Sequence, residues 1–200
     1  MIEKAAVKIV DYLVEKNSIE KNNIPFYRYG IEITISFLLN VFWIMLISLV
    51  FGNMFEGIVF LFVFISLRHF TGGYHAKSYF SCNLKFSICY VILEFLFHLT
   101  YSIIPLSIMI TTILFCLAIF SLECPIENSN KPLKNNEKKR FKVLGLALAM
   151  LYSGGAIFLY VYYSIYSIFI IYTILLVAIL VLVATIQEMK EGLKSCRNDN

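Results

Sequence analysis

The chain has 200 residues, of which 60% are apolar, a formal net charge of +4 and a mean hydropathy of +0.78. Soluble domains usually carry roughly 45–50% apolar residues, so the composition excludes a water-soluble globular domain and points to a membrane protein. No cofactor and no nucleic-acid partner are expected.

Residues 1–17 carry charge throughout and have no continuous apolar core, so they do not read as a cleavable signal peptide. Ile2, Ala5, Ala6, Ile9, Val10 and Leu13 recur at helical spacing, with Lys4, Lys8, Asp11 and Glu15 opposite. That pattern predicts an amphipathic helix, lying either in the membrane interface or against the protein's own cytoplasmic face.

All 17 Lys and Arg residues fall within 4–28, 68–85, 131–142 and 190–197. The blocks 29–67, 86–130 and 143–189 have none, and each is long enough for two crossings at about 20 residues apiece. Six spans are predicted, near 29–51, 54–68, 84–101, 103–122, 142–162 and 165–187, with hairpin turns at Phe51-Gly52-Asn53 and Ile104-Pro105. The second is the weak one, because Met54 to Leu67 supplies only about 21 Å of helix at 1.5 Å per residue.

Every basic patch then returns to one side, which the positive-inside rule makes cytoplasmic. The expected fold is all-α and polytopic, about six transmembrane helices preceded by an N-terminal amphipathic helix. A single membrane domain is expected over 1–200: an interfacial helix and linker at 1–26, four spans within 29–122, a basic loop at 123–141, two spans within 142–187 and a tail at 188–200. Both termini are expected in the cytoplasm. The cysteines include no CxxC, and the cytoplasm keeps thiols reduced, so no structural disulfide is expected.

Between the second and third spans the composition changes abruptly. Residues 68–82 hold Arg68, His69, Gly72-Gly73, His75, Lys77, Ser78, Ser81 and Cys82. A thiol attacks a carbonyl as the thiolate, which needs a neighbouring imidazole or a helix N-terminus. Were 75–82 one straight helix, His75 and Cys82 would share a face but stand roughly 10 Å apart along the axis. The backbone between them must therefore bend, which Gly72-Gly73 permits. With Ser81 as N-cap, Cys82 would sit in the first turn of the next helix, where the helix dipole favours an anionic sulfur. Arg68 and Lys77 flank the pair, as carboxylate or oxyanion partners or as interface anchors. From residue types alone the segment reads as a catalytic pair, a structural pair, or His69, His75 and Cys82 as ligands of a zinc ion that still lacks a fourth.

Arg68, Gly73, His75 and Cys82, in that order and spacing, with Ala76-Lys77-Ser78, resemble the AgrB family of membrane endopeptidases from Gram-positive quorum-sensing systems. The chain length, the amphipathic start and the run Cys124-Pro125 to Lys131-Pro132-Leu133 are similar as well. The resemblance implies Cys82 as nucleophile and His75 as its base. It also implies cleavage of a small AgrD-like precursor peptide, capture of the peptide on Cys82 as a thioester, and closure of a thiolactone or lactone ring by a cysteine or serine of the peptide. A homodimer is what the family suggests.

The strongest basic run is Lys131, Lys134, Lys138, Lys139, Arg140 and Lys142, against Glu137. It suits an acidic precursor tail, and it suits equally a role in setting topology and binding anionic lipid. In the third span Glu94 and His98 share a helix face and are expected to form a structural pair inside the bundle. Cys89 is read as a packing cysteine, and Gly154-Gly155 as a place of close helix approach. The competing class is a non-catalytic transporter or metal-binding module using His69, His75, Cys82 and Glu94.

Overall fold

The computed structural model describes residues 2–16, 19–20, 23–72, 79–126, 134–162 and 164–198. Seven helices follow one another along them: α1 (Ile2–Glu15), α2 (Ile24–Phe51), α3 (Met54–Thr71), α4 (Tyr79–Thr100), α5 (Leu106–Glu123), α6 (Asn135–Tyr160) and α7 (Ser164–Asn198). No strand occurs among the described residues. The last six helices are each long and apolar enough to cross a membrane, so the chain is a multi-pass membrane protein with an amphipathic helix in front.

The two predicted hairpin turns are present, for local reasons. Gly52 ends α2 in the left-handed region (φ 76°), which a residue without Cβ enters freely. There the Gly52 and Asn53 N–H groups donate to the Leu49 and Ser48 carbonyls. At the other hairpin, Pro105 in extended conformation starts α5, where its missing N–H costs nothing.

Several boundaries differ from the sequence expectation: α2 and α4 start earlier, at Ile24 and Tyr79, and three others bear on the fold. The second span is not short: α3 has 18 residues, about 27 Å of helix. It carries Arg68 and His69 in its last turn, because Arg68 can turn its guanidinium back to the helix end and donate from Nη1 to the Gly72 carbonyl at 2.8 Å. α6 starts at Asn135, so the expected loop ends early and Lys138, Lys139 and Arg140 are helical. Glu137 accepts the Lys134 backbone N–H at 3.1 Å and caps that start. α7 continues to Asn198, so most of the expected tail is helix.

α7 is the axis of the bundle. Of its span window 56% is buried, against 17% for α2, and it packs on α3, α4, α5 and α6. Ile168, Phe169, Ile171, Ile174, Val177 and Val181 form the centre, meeting Phe60, Leu67, Met109, Cys116 and Phe120. α2 lies at the edge against α1, α3 and α4. The amphipathic α1 packs on α2, burying Ala6 and Val10.

Close helix approach occurs at glycines other than the expected pair. A Cβ on Gly154 or Gly155 would meet nothing within 4 Å. Gly57 instead lies under the Ser48 side chain, with which a Cβ would collide. Gly145 brings α6 onto the end of α3, its Cβ position 3.4 Å from Phe70 Cβ.

Candidate active site

Cys82 is the fourth residue of α4 and is half-buried. The helix begins at Tyr79, so Ser81 is helical and is not the cap. The sulfur nevertheless stays within the first turn or so of the helix, at the positive end of its dipole. His75, Gly73, Lys77 and Lys131 lie outside the described residues.

The end of α3 stands beside this turn. The Arg68 guanidinium is within electrostatic reach of the sulfurs of both Cys82 and Cys124. It also holds the Gly72 carbonyl, and Gly72 takes φ 69°, ψ −151°, a region essentially reserved for glycine. The segment after α5 docks here: the Ile126 N–H donates to the Thr71 carbonyl at 3.0 Å, and the Ile126 carbonyl fills the space a Gly72 Cβ would need. Cys124 is buried at this junction, and burial, reinforced by Glu123, pushes its thiol up to about 12, with Lys142 and Arg68 opposing. Cys124 is thus held neutral, in contrast to what a nucleophile needs.

His69 is exposed and turned elsewhere, its ring edge-on to Phe70 and Phe141 at 4.9 and 6.1 Å between centroids. Phe141 belongs to α6, so the aromatic contacts and Gly145 together place the foot of that helix against the end of α3. Lys138 is half-buried, while Lys139 and Arg140 are exposed on the same first turns. Among the described residues, no group of three His, Cys, Asp or Glu side chains could hold a metal ion.

The sequence reading missed a polar line along the seam of α2 and α4. Beside Cys82, Asn83 Oδ1 accepts from Ser36 Oγ at 2.8 Å and Asn40 Nδ2 at 3.1 Å. Further along, Ser48 Oγ and Tyr90 OH are 2.7 Å apart, and Tyr90 donates to Glu94 Oε1 at 2.6 Å. Asn53 Nδ2 then joins Glu94 Oε2 (3.2 Å) to His98 Nε2 (2.9 Å). Glu94 is fully buried as expected, whereas His98 is about half exposed, stacks on Phe51 and lies 3.9 Å from the carboxylate. The pair is therefore bridged by an asparagine. The signal was present as Glu32, Ser36 and Asn40 at four-residue spacing, continued after Ile44 by Ser48, which is one ridge of a helix.

The family model described as "Accessory gene regulator B" matches residues 6–182. The chain belongs to the AgrB family. It is 26% identical over 158 residues to AgrB-like protein 2 of Clostridium perfringens (strain 13 / Type A), covering 76% of this chain and 74% of that one. It is 33% identical over 150 residues to an AgrB-like protein of Clostridium beijerinckii, covering 73% and 72%. A shorter match of 92 residues, 32% identical, covers 46% of this chain and 37% of protein FsrB of Enterococcus faecalis (strain ATCC 47077 / OG1RF). No solved structure matches. AgrB membership ties the chain to quorum-sensing propeptide processing at a membrane.

Proposed function

We infer that the protein is a membrane cysteine endopeptidase that cleaves an AgrD-like precursor and cyclises the product. The observation that carries this reading is Cys82 in the opening turns of α4, within electrostatic reach of Arg68, in a chain of the AgrB family. The Cys82 thiolate, its proton taken by His75, attacks the carbonyl carbon of the scissile bond. The C–N bond breaks, His75 returns the proton to the leaving amine, and the peptide remains as a thioester. A thiol or hydroxyl of the same peptide, its proton passing through His75 to the departing Cys82 sulfur, then attacks the thioester carbonyl and closes a thiolactone or lactone. A thioester conserves acyl activation, and an intramolecular nucleophile has high effective molarity, so ring closure competes with water without added energy.

The return of every basic patch to one side supports a cytoplasmic position for this chemistry and for both termini. Lys138, Lys139 and Arg140, at the foot of α6 beside the end of α3, suit an acidic precursor tail, with Lys131, Gly73 and Lys77 supporting. A homodimer is the assembly that family membership favours.

The deciding experiment uses purified protein in lipid with synthetic AgrD-type precursors. Mass spectrometry should find a hydroxylamine-labile acyl adduct on Cys82, and Cys82→Ala and Cys82→Ser should abolish cleavage while remaining inserted and folded. Retained processing in the alanine variant refutes the reading. Neutralising Lys138, Lys139 and Arg140 together should weaken precursor affinity, and unchanged affinity removes the tail-docking role.

A further inference from the structure

Among the described residues two buried side-chain polar atoms stand unused, Ser153 Oγ in α6 and Asn40 Oδ1 in α2, and only the second lies beside Cys82's neighbour Asn83. Asn40 Oδ1 is buried and receives no hydrogen bond among the described residues, although Asn40 Nδ2 is engaged with Asn83. The residue lies within the apolar helix α2, where an unmatched buried carbonyl is costly. Native interiors rarely tolerate such a group without a use for it.

Its position suggests the use. Asn83 follows Cys82 directly, and its Oδ1 ties Asn40 and Ser36 of α2 to the turn of α4 that carries the nucleophile. The cluster is a patch of amide and hydroxyl groups, sunk in an otherwise apolar seam and next to the residue that is acylated. A peptide brought to Cys82 leaves water on the way, and its own backbone N–H groups then need acceptors. A carboxamide oxygen is chemically the same acceptor as a backbone carbonyl.

We propose that Asn40 Oδ1, closed off in the free protein, becomes the acceptor for a backbone N–H of the precursor peptide when the α2–α4 seam parts to admit it, close to the bond that Cys82 cleaves. The Asn40–Asn83–Ser36 cluster then works as a specificity element: it holds the precursor backbone in register, while Asn83 and Ser36 fix the orientation of the Asn40 amide. The orphan acceptor of the free protein is satisfied only when the peptide is present, so binding energy is gained at a group that weakens the unliganded fold. This inference rests on the reading of Cys82 as the acylated residue.

The test separates the two. In nanodiscs, a synthetic AgrD-type precursor that acylates wild-type Cys82 is titrated against Cys82→Ala, which binds without turnover, with and without Asn40→Leu. Leucine matches asparagine in size, removes the acceptor, and leaves the Ser36 to Asn83 bond in place. Asn40→Leu should raise the Kd about tenfold, the worth of one hydrogen bond to a buried group, with a melting temperature that is unchanged or higher. A set of precursors N-methylated at single peptide bonds then identifies the donor. One of them should bind about tenfold more weakly to the Asn40 protein and no more weakly to Asn40→Leu. A fall in melting temperature with unchanged Kd, or no N-methyl position that couples to Asn40, overturns the site and leaves Cys82 untouched. Absence of any Cys82 adduct overturns the acylation reading and the site with it.

Discussion

The Ile126 N–H donates to the Thr71 carbonyl at 3.0 Å, joining the chain that leaves α5 to the last residue of α3. The join works only because Gly72 follows, with φ 69° and the Ile126 carbonyl lying where a Cβ would be. Arg68 completes the clamp through its 2.8 Å bond to the Gly72 carbonyl. The conformation at the end of α3 thus rests on Gly72 together with these two hydrogen bonds.

Gly72→Ala is expected to break this clamp. The backbone conformation alone costs a residue with a Cβ about 1–3 kcal/mol, and the collision with the Ile126 carbonyl comes on top. Cleavage of a precursor should fall more than tenfold while the chain still inserts, measured by adduct formation on Cys82 together with thermal melting in lipid. Wild-type activity and stability in Gly72→Ala would remove the clamp from the argument.

Arg68 holds the clamp and also provides the positive charge beside Cys82, and two substitutions separate these roles. Arg68→Lys keeps a charge but not the planar fork that meets a carbonyl, whereas Arg68→Met loses both. If the charge supports an anionic sulfur, acylation and iodoacetamide modification of Cys82 should both fall about tenfold or more in Arg68→Met. They should fall less in Arg68→Lys, while both variants lose stability to a similar degree. Equal alkylation rates in all three proteins would reduce Arg68 to its hydrogen bond.

Much of the architecture was legible because charge is expelled from the bilayer: the gaps between Lys and Arg located the spans, and Gly52-Asn53 marked a turn by its backbone needs. Cys82 was likewise placed near a helix start. The end of α3 was not legible, because Arg68 reads as an interruption until its guanidinium is seen to satisfy the Gly72 carbonyl at the helix end. The start of α6 was hidden for the same reason, a run of charges that turns out to be a capped helical turn. Average hydropathy also concealed the α2–α4 seam, since Ser36, Asn40 and Asn83 are single polar residues in apolar runs and only their meeting across two helices gives them meaning. Gly154-Gly155 had the more conspicuous pattern, yet Gly57 and Gly145 have neighbours within reach and they do not. Which face a glycine presents is decided by packing that a single sequence does not display.

Gly57 lies where α3 crosses α2, beneath Ser48, whose hydroxyl meets both the Ile44 carbonyl and Tyr90. Gly57→Ala should push Ser48 off Tyr90, loosening the buried chain from Ser48 through Tyr90 to Glu94. An overpacked interior position of this kind costs about 1–3 kcal/mol, despite the better helix propensity of alanine. Ser48→Gly in the same chain removes the colliding side chain and should recover part of the loss, read as the melting temperature of the double variant. Additive losses would mean that Gly57 and Ser48 do not meet as described.

Cys124 offers a check on the electrostatics of the α3–α5 junction. Burial, with Glu123 adding to it, raises its thiol from an ordinary value near 9 to about 12, and Lys142 and Arg68 offset only part of that. At pH 8 the thiolate fraction is on the order of one in ten thousand, so iodoacetamide should modify Cys82 long before Cys124, as mapped by peptide mass over a time course. The linkage has a definite sign. A group whose folded value lies above its unfolded one contributes stability that is fully present below about pH 9 and is lost as pH rises toward 12. Cys124→Ser, which does not ionise in this range, should therefore melt with a shallower alkaline decline than the wild type between those limits. Identical alkaline profiles, or prompt labelling of Cys124 at pH 8, would contradict a buried neutral thiol beside Arg68.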